Sequence, residues 1–80
     1  MGKLVQIGNI IIRVYANDHL PPHFHVITPN GDALVEIETL EILRGNLDRR
    51  DQRIAHVWAT ENRAAIAAEW NRTNPRFPIA

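Results

Sequence analysis

Eighty residues carrying nine Lys+Arg, nine Asp+Glu and no cysteine make one small domain, because a chain of this size buries only about 60% of its unfolded surface and leaves nothing for a second core. The missing cysteines exclude a disulfide framework and a thiolate zinc cage, and a net charge of zero excludes recruitment of nucleic acid by bulk charge. No stretch approaches the roughly 20 apolar residues of a membrane span and the start, Met1 to Gly8, has no leader pattern, so we expect a soluble cytoplasmic protein whose small core leaves room for a homodimer.

The first half of the chain alternates with period two and the second half with period 3.6, which predicts strands followed by helix, an α+β layout. Gly8-Asn9 separates Leu4–Ile7 from Ile10–Tyr15, and both runs suit a pleated surface. Ala16–Pro22 is a loop, since Pro21-Pro22 forbids helix and leads into an extended His23–Thr28. Asn30-Gly31 predicts a tight hairpin turn, after which Ala33–Glu38 returns as a strand and Glu41–Leu43 forms a short edge. Asp48 caps a helix whose stripe is Ile54, Val57 and Trp58. Ile66 and Trp70 fall off that stripe, so the helix breaks near Ala59–Asn62, with Thr60 as a second cap. The expected fold is therefore an antiparallel sheet of about four strands, followed by a broken C-terminal helix or two short helices on one face. Residues 1–72 form the domain, and 73–80, with two prolines and no periodicity, an extended or disordered tail.

Strand alternation divides the residues between two faces. Ile10, Ile12, Val14, Phe24, Val26, Ala33, Val35 and Ile37 form an apolar face for the helices to cover. If Thr28 pairs with Ala33, the other face carries two rows, Arg13–His25–Glu36 and Tyr15–His23–Glu38.

Histidine beside carboxylate moves protons near neutral pH, and arginine with tyrosine holds developing negative charge. One reading is thus a metal-independent ribonuclease or other phosphoester hydrolase, with His25 as base, His23 as acid, Arg13 as phosphate clamp, and Tyr15, Glu36 and Glu38 in support. A second is metal binding, since His23 and His25 project to one side and Asp18 and His19 reach in from the loop. Those four supply nitrogen and oxygen donors suited to Zn²⁺, Ni²⁺ or Fe²⁺. The bland alternative is a solvated face whose charged neighbours merely suit one another. Arg49, Arg50 and Arg53 gather with Arg44 at the helix start and could take phosphates or an acidic partner, although Asp48 and Asp51 dilute the patch. A divalent metal is the one cofactor any of these readings calls for.

The block Asn17-Asp18-His19-Leu20-Pro21-Pro22-His23-Phe24-His25-Val26, with Gly8-Asn9 before it and Gly45-Asn46-Leu47, Arg49-Arg50, Trp58 and Trp70 after it, resembles a family of small, mostly bacterial proteins. This is the domain of unknown function four-one-six-zero, and the resemblance spans roughly residues 3–72. It supports the fold and marks Asp18, His19, Pro21, Pro22, His23, His25 and Arg50 as signature positions, without implying a catalytic role for any of them. Asp48 stands where many relatives place proline, exchanging a fixed φ for a cap. The resemblance also implies a toxin–antitoxin-type interaction module, binding a small protein encoded by an adjacent gene and, as a further ligand, RNA.

Overall fold

The computed structural model describes residues 3–79, and of Lys3 the backbone alone. Met1-Gly2, and Ala80 at the end of the expected tail, lie outside the described residues. The elements are β1 (Lys3–Ile7), β2 (Ile10–Arg13), β3 (His23–Thr28), β4 (Gly31–Glu36), β5 (Ile42–Gly45), α1 (Arg49–Glu61) and α2 (Arg63–Thr73). The strands form one antiparallel sheet in the order β1-β2-β3-β4-β5, so the sheet has five members rather than about four. The fifth is the short edge, which pairs Gly45 with Ala33 and Ile42 with Val35. Gly45 makes this pairing feasible: it takes φ 88, and a Cβ there would stand 2.3 Å from the Asp32 carbonyl oxygen.

The β3–β4 turn differs from expectation. Thr28 pairs with Gly31 rather than Ala33, and the turn is Pro29-Asn30. Proline pre-sets the φ of the first turn position, and the Thr28 hydroxyl closes the corner by donating to the Gly31 carbonyl at 2.7 Å and accepting from Asn30 N at 3.2 Å. The shift is two residues, so every side chain keeps its face while every cross-strand partner changes. His25 lies opposite Leu34 and His23 opposite Glu36. Glu38 lies beyond the strand, in the turn that leads to β5.

All eight residues of the expected apolar face are buried, and Leu47, Ala55, Ala59, Ile66 and Trp70 complete the core. In α1 the buried line is Asp51, Ala55 and Ala59, with Ile54 and Trp58 half-buried beside it. Val57, expected on the packed stripe, is 52% exposed. Alanines at the centre of the contact let the helix axis approach the sheet. The Asp48 carboxylate accepts from Asp51 N at 2.8 Å, the expected cap. The break falls at Asn62, whose Nδ2 donates back to the Trp58 carbonyl. Thr60 is no cap, because its hydroxyl donates to the His56 carbonyl within α1. No described helix is long and apolar enough to cross a membrane.

The segment after Thr73 is held, not loose. Trp70 Nε1 donates to the Phe77 carbonyl at 2.7 Å, and the Asn71 amide both donates to and accepts from the Ile79 backbone. Phe77 and Ile79 pack against the core.

Candidate metal centre

The β2–β3 loop carries the site. Asn17 takes φ 57, a left-handed conformation that asparagine tolerates, and the Leu20–Pro21 peptide is cis. The loop is fastened from far along the chain by Asn74, a buried residue just past α2. Its Oδ1 accepts from Asp18 N at 2.6 Å and its Nδ2 donates to the Tyr15 carbonyl at 2.9 Å, while Asn17 N donates to the Thr73 carbonyl.

Held in this way, Asp18 meets both strand histidines. Its Oδ2 lies 3.0 Å from His23 Nε2 and 3.3 Å from His25 Nε2, and its Oδ1 accepts from His19 N. The two strand imidazoles are 5.1 Å apart at their centroids, and one donor atom from each of Asp18, His23 and His25 lies within 4.8 Å of the other two.

His23 is the most constrained member. It is 1% exposed, with the Trp70 ring 5.7 Å away. Its Nδ1 lies 2.8 Å from the Pro21 carbonyl oxygen, which can only accept, so Nδ1 carries the proton. The other ring nitrogen, Nε2, lies inside the cluster. Although Asp18 Oδ2 is near, the direction from Nε2 misses it, and this buried nitrogen has no hydrogen-bond partner among the described residues.

Burial pushes the Asp18 carboxyl up. The His19 backbone N–H, the His25 hydrogen bond and the charges of His23 and His25 together outweigh it and hold the group below its ordinary value.

The remaining candidates distribute unevenly. Arg13 sits directly opposite His25, as expected. Tyr15, expected beside His23, stands edge-on to His25 with centroids 4.5 Å apart. His19 Nδ1 lies 2.9 Å from Asp18 Oδ1, but the side chain is 72% exposed and stays outside the cluster. The two expected rows do not form. Glu36 accepts from the Thr39 hydroxyl instead of meeting a histidine, and Glu38 lines an apolar groove with Pro22, Ile37, Arg63 and Ile79. Arg49, Arg50 and Arg53 are exposed on the first turns of α1. Arg50 lines a cleft with Gly8, Asn9, Pro29 and Asn30, so it lies by the β3–β4 turn, at the opposite end of β3 from His23. Asn74 and Trp70 are the residues that sequence reasoning missed as parts of the site. An asparagine between a helix end and Pro75 is a local hint of a cap, but nothing near it in sequence points to Asp18.

Neither the comparison with curated proteins nor that with solved structures finds a match. A family model matches residues 9–71, a stretch that holds Asp18, His23, His25 and Trp70 and stops short of Asn74, and on that match the chain belongs to the family described as Domain of unknown function (DUF4160).

Proposed function

We propose that this protein binds a divalent transition-metal ion through Asp18 Oδ2, His23 Nε2 and His25 Nε2. The observation that carries the reading is His23 Nε2, buried, without a hydrogen-bond partner among the described residues and 3.0 Å from a carboxylate oxygen. A buried ring nitrogen and a carboxylate oxygen this close call for a shared cation, and a metal ion satisfies both where the hydrogen-bond direction is not met. Donors about 2.1 Å from an ion stand about 3.0–3.4 Å from one another across a tetrahedral or octahedral edge, and the two Asp18–imidazole separations of 3.0 and 3.3 Å already match. The Nδ1–Pro21 hydrogen bond is the outer support that a ligating imidazole ordinarily has.

Two imidazoles and one carboxylate suit Zn²⁺, Fe²⁺, Co²⁺ or Ni²⁺ better than Ca²⁺ or Mg²⁺, and three protein donors leave coordination positions open, the pattern of a reactive site rather than a closed structural one. The burial of His23 favours ligation over the role of a solvent-side acid in a metal-independent hydrolase. The reading as a toxin–antitoxin-type module with a small protein partner or RNA stands on family resemblance, and the metal site is compatible with it.

Elemental analysis of tagless protein after titration with Zn²⁺, Co²⁺ and Ni²⁺ tests the proposal. The expected result is about one ion per chain, reduced to background in Asp18→Asn and in the half-exposed His25→Ala. Folded wild-type protein that retains none of these ions overturns it.

A further inference from the structure

The access side of the cluster is where Asp18 and His25 keep 14% and 20% of their side-chain surface, since His23 is closed off. Two groups border that opening. Tyr15 stands edge-on to the His25 ring and is 40% exposed, and its hydroxyl has no hydrogen-bond partner among the described residues. Arg13 faces His25 directly across the β2–β3 ladder, so the two side chains leave the same face with Cβ atoms about 5 Å apart. Arg13 is half-buried, and no carboxylate of the described residues forms an ion pair with it. The same row continues through Leu34 to Arg44, so it carries two guanidiniums and no acid. Of the two acids on that face of β4, Glu36 is engaged by Thr39 and Asp32 forms no ion pair with Arg13.

We infer that the site takes a phosphate-type oxyanion as its exogenous ligand: one oxygen on the metal ion, a second on the Arg13 guanidinium and a third on the Tyr15 hydroxyl. This rests on the metal reading above. A metal ion, a guanidinium and a phenol hydroxyl bordering one opening suit three oxygens on one centre, which a phosphate or phosphonate offers and a carboxylate does not. The half-buried setting strengthens the guanidinium–oxyanion bond, because less water competes for either partner.

Co²⁺-loaded protein titrated with methylphosphonate, and separately with acetate, reports the ligand through the visible absorption of the ion. Saturable change with methylphosphonate is expected, with acetate about tenfold weaker or more. Arg13→Gln should weaken methylphosphonate binding about tenfold or more while Co²⁺ stoichiometry holds, and Tyr15→Phe should weaken it to a smaller extent. Co²⁺ binding without a methylphosphonate response, equal response to acetate, or an unchanged response in Arg13→Gln overturns the inference and leaves the metal reading standing. Failure to bind Co²⁺ at all removes both, and the metal-only titration detects that before any anion is added.

Discussion

At the scale of single residues, Asp18 and His23 carry the site for different reasons. Asp18→Asn keeps the volume and removes the charge, so metal affinity should fall by more than the about 10–100-fold that changes outside the first coordination sphere cost, as read by competition with a chromophoric chelator. In the metal-free protein the same carboxyl also links stability to pH. Its folded pKa lies below the unfolded one, so it contributes stability that is present above the ordinary carboxylate range and is lost as pH falls through the lower folded value. Urea midpoints of the wild type and Asp18→Asn, both metal-free, should therefore differ near neutral pH and converge in acid. His23→Ala removes a ring packed between Trp70 and the loop, and should cost about 2–4 kcal/mol of stability by urea titration in addition to the ion.

Among elements, the end of α2 matters to the site as much as the strands do. Asn74 ties Asp18 N and the Tyr15 carbonyl to a helix end 56 and 59 residues away. Asn74→Ala leaves these groups without partners in a buried place and should destabilise the fold by about 1–3 kcal/mol. Because the freed loop no longer presents Asp18, metal affinity should fall too, an effect that a purely structural loss elsewhere would not produce. Asp48→Ala supplies the comparison. It removes the α1 cap at a cost of about 0.5–2 kcal/mol, and the stoichiometry of bound metal should stay unchanged in the folded variant.

At the scale of the whole molecule the chain is compact: the radius of gyration is 11.5 Å, against about 11.6 Å for a compact domain of this length. Its two ends are chemically distinct, with the histidine cluster where β3 begins and the α1 arginines near the turn where β3 ends. Replacing Arg49, Arg50 and Arg53 together by Gln should accordingly leave metal affinity within about twofold, since exposed charges beyond a Debye length are screened. Several features were legible from residue order alone: the placement of Phe24 and Val26 on the core side and His25 on the other, the Asp48 cap, and the need for a break before Ile66. Each depends on residues within a few positions, through pleat, cap or helical period. The partners of Asp18, the burial of His23 under Trp70, and the capture of Leu34 rather than Glu36 opposite His25 were settled only by tertiary structure. A proline-led turn sets the register, and an asparagine near the end of the chain sets the loop. Those contacts join positions whose spacing in sequence leaves no periodic trace.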